Sequence, residues 1–437
     1  MKDRNWSPVG TRRRGLRSFA ARLTLRLLAV ASIVVVYHVL ELHFRYREAM
    51  RAKYLPTVFG NLSEHDEAIL ASTGWEEPNM DATNAERSAL LDNRRHWKRL
   101  GMGREGDTFT FNNTVIKVYN EESTPFRNCM QNTRGPPRRW PTEIPASLVM
   151  GGLEGGSPPP DNDPNKELFV PVKDYFLAAT DPLLPPKWHL VTPFLQSGTL
   201  KNLARRLRAS GGDGGGGGGP SHRELDRAFR PSFESLLAAL EDLHAAHGLC
   251  HDDVKLDNVF VGSERDPGRW KLGDLGNARE PGHPYHATAL WTADTPQLRD
   301  CRANDALRLT RFLRRAGGDP AAFDEALFRG VEAFSRLYWA VVARAAHAPA
   351  GPATAAQLSR AYPPDGDGDG SPWMTTQPAD VGGSRGWAPA AEAVLGWKWS
   401  LASAVKRELR VGAKEGPGKF WGLTWLFGIP VGACQAG

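Results

Sequence analysis

Residues 251–258 read His-Asp-Asp-Val-Lys-Leu-Asp-Asn, and residues 271–276 read Lys-Leu-Gly-Asp-Leu-Gly. These two stretches offer two carboxylates, an ammonium group and an amide, from Asp253, Asp274, Lys255 and Asn258. Mg²⁺ prefers oxygen ligands of this kind and completes its coordination with water and phosphate oxygens. The glycine before Asp274 frees the backbone for a tight turn beside the metal. The two stretches therefore predict a site for Mg²⁺ together with a phosphate-bearing ligand.

A glycine-rich segment lies upstream, where residues 100–106 read Leu-Gly-Met-Gly-Arg-Glu-Gly. The pattern GxGxxG alone is weak evidence, because it also opens dinucleotide-binding units before a helix. Here two β-like runs follow it instead, at residues 109–111 and 114–119, and the second contains Lys117. This order predicts a glycine hairpin over phosphates and a strand lysine that reaches them. Glu143, in a helix predicted over residues 142–150, is the candidate acidic partner of that lysine.

These motifs occur in the order found in protein kinases, and the chain resembles that superfamily over residues 96–345. Residues 274–276 resemble the metal-binding Asp-Phe-Gly motif, with leucine in place of phenylalanine. The resemblance implies a bilobal α+β fold, which would lie behind an N-terminal transmembrane helix that the start of the chain predicts independently. The N-lobe, residues 96–195, would hold an antiparallel sheet and one helix, and the C-lobe, residues 196–345, would be mainly helical.

The resemblance also implies a role for each candidate residue and a reaction that uses ATP and Mg²⁺. The glycines that would cover the ATP phosphates are Gly101, Gly103 and Gly106. Lys117, held by Glu143, would clamp the α and β phosphates. Asn258 and Asp274 would hold Mg²⁺. Asp253 would orient the acceptor hydroxyl and take its proton, Lys255 would neutralise the transferring phosphoryl group, and Asp305 would brace the loop that carries them.

The sequence departs from the protein-kinase pattern in the region that binds the acceptor. Asp252 replaces the arginine that normally answers an activation-loop phosphate, and no Ala-Pro-Glu motif is present. Lys255 is typical of serine/threonine kinases, so a protein Ser or Thr is the expected acceptor. A sugar or another small molecule remains open. An inactive kinase-like scaffold that binds nucleotide or a partner is the second interpretation, although the groups such scaffolds usually lose are all present.

The basic character of the chain is confined to its start. The formal charge is +6, but the first 26 residues carry eight basic side chains and one acidic one, and the remainder carries 47 basic and 48 acidic side chains. A nucleic-acid-binding domain needs a basic footprint of its own. The composition therefore argues against a nucleic-acid partner.

The basic tail, residues 1–22, leads into an apolar stretch at residues 23–44. No small-residue cleavage signature follows, which favours an uncleaved signal anchor over a removed signal peptide. A buried N-terminal helix and a mitochondrial presequence are the alternatives. The positive-inside rule places the N-terminus of an anchor in the cytosol and the body across the membrane. The expected location is a single-pass membrane protein with its catalytic domain in the lumen of the endoplasmic reticulum or Golgi.

The remaining segments are expected to lie around the core of the protein. They are a stem at residues 45–95, a flexible glycine-rich insertion at residues 210–220, and a C-terminal extension at residues 346–437 with a solvated loop at 363–372. Sequons at Asn61 and Asn112 predict a glycoprotein if the body is luminal. The four cysteines form no CxxC pair, so a structural zinc site is not expected. One or two disulfides are possible, with pairing open.

Overall fold

The computed structural model describes residues 12–59, 82–103, 105–122, 124–130, 138–154, 167–179, 185–210, 219–292, 297–364, 397–409, 415–432 and 434. The strands are β1 (Lys98–Met102), β2 (Gly106–Phe111), β3 (Thr114–Tyr119), β4 (Asn128–Met130), β5 (Arg138–Trp140), β6 (Asp174–Ala178), β7 (Lys187–Pro193), β8 (Val259–Val261) and β9 (Trp270–Leu272). The helices up to the middle of the chain are α1 (Arg12–Lys53), α2 (Ala82–Asp92), α3 (Glu143–Gly151), α4 (Leu200–Ala209) and α5 (His222–Ala245). The later helices are α6 (Ala289–Thr292), α7 (Cys301–Leu307), α8 (Arg311–Ala316), α9 (Pro320–Arg329), α10 (Ala333–Ala345), α11 (Pro352–Ala361), α12 (Trp397–Glu408), α13 (Glu415–Trp421) and α14 (Thr424–Phe427).

The largest sheet has five strands in the order β1-β2-β3-β7-β6, and every neighbouring pair is antiparallel. Asn112 and Asn113 join β2 to β3 with φ angles of 45° and 60°. Asparagine tolerates this left-handed backbone, which a two-residue hairpin turn of the primed type requires. The predicted α+β class, with an antiparallel sheet in the first half, is confirmed. Residues 169–172 form isolated bridges only, and β6 follows them as the edge strand of the sheet.

The second half is mainly helical and packs around α5. Ser221 and Glu224 cap the start of this helix reciprocally, which satisfies backbone amides that would otherwise lack acceptors. The leucines of α5 recur at helical spacing and lie in the largest apolar core. Helices α9 and α10 are separated at Gly330, whose φ is 67°. Glycine adopts this left-handed conformation without steric cost and so ends the first helix.

The N-terminal helix is long and apolar enough to cross a membrane. Its segment Ala21–Lys53 has 33 residues, and the 18-residue window that qualifies has a mean hydropathy of 2.1 with none of it buried in the protein. About 20 apolar residues span a bilayer core. This helix is compatible with a single-pass membrane anchor.

The stem expected at residues 45–95 does not begin where the apolar stretch ends. The same helix continues to Lys53, and its last turns contribute Tyr46, Ala49 and Met50 to a buried cluster with Tyr285 and Trp291. These apolar residues recur three and four positions apart, so they share one face of the helix. Further on, α2 joins the edge of the sheet, where Arg87 pairs with Asp174 on β6 at 2.8 Å.

The C-terminal segment returns to the N-terminal helix. Trp421, at the end of α13, packs on the cluster around Met50, and Glu415 forms an ion pair with Lys53. Disulfides join Cys129 to Cys434 and Cys250 to Cys301. The region assigned to a C-terminal extension therefore packs on the body at its start and at its end. Residues 211–218 of the glycine-rich insertion and residues 365–372 of the predicted loop lie outside the described residues.

Candidate functional site

A cavity of about 500 Å³ lies between the sheet and the helical half. Its lining includes the turn after β1, the strand lysine Lys117, the first residue of α3 and the loop that follows α5. A narrower slot of about 180 Å³ adjoins it. The apolar part of that slot is formed by Val115, Val170, Leu190, Phe260 and Leu275. Both spaces are lined by Lys117, Glu143 and Asp274, so these three side chains stand at the junction of the two.

The junction is built on strand β3 and helix α3. Alternate residues of a strand point to the same face, and Lys117 and Tyr119 accordingly both reach Glu143. The ammonium of Lys117 forms an ion pair with Glu143 and lies 3.2 Å from Oδ1 of Asp274. The hydroxyl of Tyr119 donates to Glu143 at 2.5 Å. The structure therefore brings the predicted lysine, its predicted acidic partner and the predicted metal ligand together.

The charges at this junction support one another electrostatically. Burial opposes the charged form of Lys117, but the carboxylates of Asp274 and Glu143 outweigh it and raise the pKa of the lysine. Burial would also raise the pKa of Asp274, but Lys117 and Lys255 together lower it. The pKa of Glu143 is raised because its burial exceeds the effect of Lys117. A permanently protonated lysine beside an ionised aspartate suits a ligand that carries both phosphates and a metal ion.

A single buried carboxylate fixes the conformation of the loop after α5. Asp305 on α7 accepts hydrogen bonds from the backbone amides of His251 at 2.7 Å and Asp252 at 3.1 Å. His244 lies 3.0 Å from the same carboxylate. Asp252 adopts a left-handed backbone with φ of 63°, which turns the chain so that Asp253 faces the cavity. Asp305 thus occupies the bracing position that the sequence predicted for it.

Asp253 is the centre of a second polar group. Its Oδ2 accepts hydrogen bonds from Lys255 at 2.6 Å, Asn258 at 3.2 Å and Asn277 at 3.4 Å. Burial raises the pKa of Asp253, although Lys255 acts in the opposite direction. A partly shielded carboxylate with a raised pKa is suited to accept a proton. Asn277 was not predicted, although it lies only three residues after Asp274.

Asn258 and Asp274 stand on opposite sides of one hairpin. Val259 pairs with Leu272 in the β8–β9 ladder, and the amide of Gly273 donates to the carbonyl of Asn258 at 3.0 Å. The two candidate metal ligands thus lie at the open end of this hairpin, opposite its turn. Asn258 donates through Nδ2 to Asp253, and in the described part of the chain its Oδ1 accepts no hydrogen bond. One amide oxygen and one carboxylate are thus available to a hard cation.

The three candidate glycines differ in what their backbone requires. A Cβ on Gly106 would lie 2.0 Å from the carbonyl oxygen of Val118, so only glycine fits between β2 and β3 at this point. The amide of Gly103 donates to the carbonyl of Gly106 at 2.8 Å and closes the turn. A Cβ on Gly101 would meet no atom within 4 Å. Arg104, within the same turn, lies outside the described residues.

Two further groups of side chains resemble metal sites by proximity. One contains Cys250, His244 and Asp305, and the other contains Cys250, Asp252 and Cys301. The sulfur atoms of Cys250 and Cys301 are joined in a disulfide and offer no thiolate. We therefore assign neither group as a metal centre. Searches of protein-family models and of curated proteins found no match to this chain.

Proposed function

We propose that the protein is an ATP-dependent phosphotransferase of the protein-kinase type, with a bilobal fold of that superfamily. The observation that carries the proposal is the contact of one lysine, Lys117, with both Glu143 and Asp274, across the cavity edge that Asp253 also lines. This arrangement joins a phosphate-binding cation, a metal-binding carboxylate and a proton acceptor in one place.

The two spaces suit the two parts of ATP. The apolar slot beside Val115 and Phe260 fits the adenine base, and the junction at Lys117 fits the phosphates. Asn258 and Asp274 have the oxygen donors that Mg²⁺ prefers, and they would hold it beside those phosphates. When bound, the metal ion neutralises phosphate charge. The turn of Gly101, Gly103 and Gly106 would cover the phosphates with backbone amides.

The chain's own residues account for the transfer step. Asp253 orients the acceptor hydroxyl and takes its proton as the oxygen attacks the γ-phosphorus. The bond from that phosphorus to the bridging oxygen breaks, and ADP leaves with the electron pair. Lys255, 2.6 Å from Asp253, supplies positive charge to the transferring group. A hydroxyl is the acceptor class that this proton acceptor serves.

The first experiment measures Mg-ATP binding and ATP turnover on the full chain in detergent. Lys117→Met and Asp274→Asn should lose both signals, and Asp253→Asn should keep ATP binding but lose turnover by about 100-fold or more. Lys98→Met is the matched control, because Lys98 is an exposed lysine of the same sheet. Binding without turnover in the wild type, with every acceptor tried, would favour the nucleotide-binding scaffold. Absence of binding would refute the proposal.

We place the body in an oxidising luminal compartment, with the N-terminus in the cytosol. The arginines before the apolar helix and the two disulfides support this orientation. Asn112 lies exposed at the β2–β3 turn, where a glycan would meet solvent. Asn61, the other candidate acceptor, lies outside the described residues. A glycosidase-sensitive mass that Asn112→Gln reduces would support the orientation, and protease cleavage of the body from the cytosolic side of sealed vesicles would refute it.

A further inference from the structure

The larger cavity continues past Asp253, away from the apolar slot. Its far wall is formed by the end of α1, by the segment after Asp274 and by the start of α13. The side chains there include Lys53, Tyr54, Tyr285 and Glu415. The acceptor side of the site is therefore a recess closed by the N-terminal helix, rather than an open groove that would fit an extended peptide.

Apart from Lys117 and Lys255, which face the proposed phosphate site, the cations among the described residues that line this cavity are Lys53, Arg127 and Arg279, and two of these three have ion pairs within the protein. Lys53 forms an ion pair with Glu415. Arg279 lies 3.2 Å from Asp252 and stacks on Tyr285 with its guanidinium carbon 4.9 Å from the ring centre. The third cation, Arg127, has no ion pair of this kind within the described part of the chain.

Arg127 is 5% exposed and has no carboxylate partner in the described part of the chain. Its Nη2 donates to the backbone carbonyls of Gly276 and Ala278, both at 3.0 Å, and its Nε donates to Thr142. Among the described residues, its Nη1 is buried without a hydrogen-bond partner. A buried charge that has no direct ion pair is costly unless something neutralises it. Burial, followed by the repulsion of Arg279, lowers the pKa of Arg127 to about 9, although Glu105, Asp252 and Glu280 act in the opposite direction without forming an ion pair with it, so it stays charged at neutral pH.

We propose that Arg127 binds an anionic group of the acceptor, which is a small hydroxyl compound bearing a phosphate or a carboxylate. The inference rests on the proposed phosphotransferase activity and specifies its substrate class. The anion would lie in the recess between Arg127 and Arg279, which presents the hydroxyl to Asp253. A sugar phosphate, a sugar acid or the inositol phosphate of a lipid head group has this chemistry. The whole cavity, of which the recess is the far part, has a volume of about 500 Å³, which is within the range typical of small-molecule sites.

The first test measures sulfate binding by calorimetry on the full chain, with the nucleotide site filled by a non-hydrolysable Mg-ATP analogue. Sulfate should bind the wild type, and Arg127→Gln should weaken it by about tenfold or more, as expected for a lost charge-assisted hydrogen bond. Arg138→Gln is the matched control, because Arg138 is an exposed arginine of nearby β5. Equal sulfate affinity in the wild type and Arg127→Gln, or no sulfate binding to the wild type, overturns the proposal.

Arg127 also braces the backbone after Asp274, so Arg127→Gln alone does not separate loss of anion binding from a structural effect. Arg127→Lys separates the two roles, since it keeps the charge but not the paired hydrogen bonds. Sulfate affinity in Arg127→Lys should exceed that in Arg127→Gln by about fivefold or more. Equal loss in both variants overturns the anion-binding role. If the ATP analogue does not bind at all, the phosphotransferase proposal fails independently of Arg127. The same sulfate titration without nucleotide then still tests whether Arg127 binds an anion.

The second test compares phosphoryl transfer from labelled ATP to glucose, glucuronate, glucose 6-phosphate and a serine peptide, and to vesicles with and without phosphatidylinositol. Anionic acceptors, soluble or lipid-borne, should be used at least about tenfold better than glucose. The vesicle arm separates a head group from a free compound. Equal use of glucose and its anionic derivatives, or preferred use of the peptide, overturns the proposal.

Discussion

The carboxylate of Asp252 lies 3.2 Å from Nη1 of Arg279, and the two side chains are 1% and 2% exposed. His286 contacts the same carboxylate oxygen at 2.9 Å. Asp252 therefore holds the segment after Asp274 against the loop that carries Asp253. Where the proposed resemblance to protein kinases would have an arginine, this chain has the acid Asp252, and the cation is supplied by Arg279 on the opposite segment.

Removing the acid from this buried pair should destabilise the protein strongly. Asp252→Ala leaves Arg279 buried without its charge partner, and breaking a buried pair in this way costs about 3–5 kcal/mol. Urea unfolding measures the difference. Glu167→Ala is the comparison, because Glu167 pairs with Arg269 at 2.8 Å on the surface. Exposed pairs contribute about 0–1 kcal/mol. Similar losses in the two variants would contradict the assigned role of Asp252.

His286 makes part of this stability depend on pH. Burial lowers the tendency of His286 to carry charge, but Asp252 outweighs it and raises the pKa above the ordinary value of 6.5. A group whose pKa rises on folding stabilises the protein fully below its unfolded pKa and loses that effect as pH climbs through the folded value. His286→Gln should therefore reduce the free energy of unfolding more at pH 6 than at pH 9. A difference that grows with pH would contradict the predicted sign.

The candidate site was largely predictable because its residues belong to short motifs. The groups at Asp253 and Asn258 lie within one loop, and a local pattern fixes their spacing. Arg127 could not be predicted in this way, since its role depends on the distant segment at Gly276 and Ala278. The end of α1 was misassigned to a stem although its apolar residues recur at helical spacing. The helical spacing was visible in the sequence, but the aromatic residues that this face of α1 packs against lie more than 200 residues further along the chain.

Alanine at the two glycines that flank the β1–β2 turn should affect stability differently. Gly106→Ala would place a methyl carbon 2.0 Å from the carbonyl oxygen of Val118, so the β2–β3 pairing must shift. Overpacking of this kind costs about 1–3 kcal/mol. Gly101→Ala meets open space and should change stability little. Thermal unfolding distinguishes them, and equal effects would show that the close approach at Gly106 is not required.

Asp305 should act on turnover as a positioning residue. Asp305→Ala removes the acceptor of the His251 and Asp252 amides, and each unsatisfied buried amide costs about 1–3 kcal/mol. Asp305→Asn keeps one acceptor oxygen and should recover part of both stability and turnover. Because Asp305 lies behind the loop, ATP affinity should be preserved in the folded fraction of either variant. A selective loss of ATP binding would show that Asp305 has a different role.

The Cys129–Cys434 disulfide should hold the C-terminal segment, which packs on the N-terminal helix, to strand β4. It closes a sequence separation of 305 residues, against 51 for Cys250–Cys301. Losing a native disulfide costs about 2–5 kcal/mol. In Cys129→Ser/Cys434→Ser, we expect lower stability and faster proteolysis near Trp425, which is already 72% exposed.

Peptide mass mapping without reduction tests the pairing of the cysteines. It thereby also tests the proposed luminal location of the body. Alkylation of the native wild-type protein should label none of the four cysteines until a reductant is added, because all of them are paired. Labelling of Cys250 or Cys301 without reductant would show that the disulfide beneath the Asp253 loop is absent. A free thiol would then lie beside Asp252 and Asp305. The support that the disulfides give to an oxidising compartment would then be lost, while the arrangement of Lys117, Glu143 and Asp274 would be unaffected.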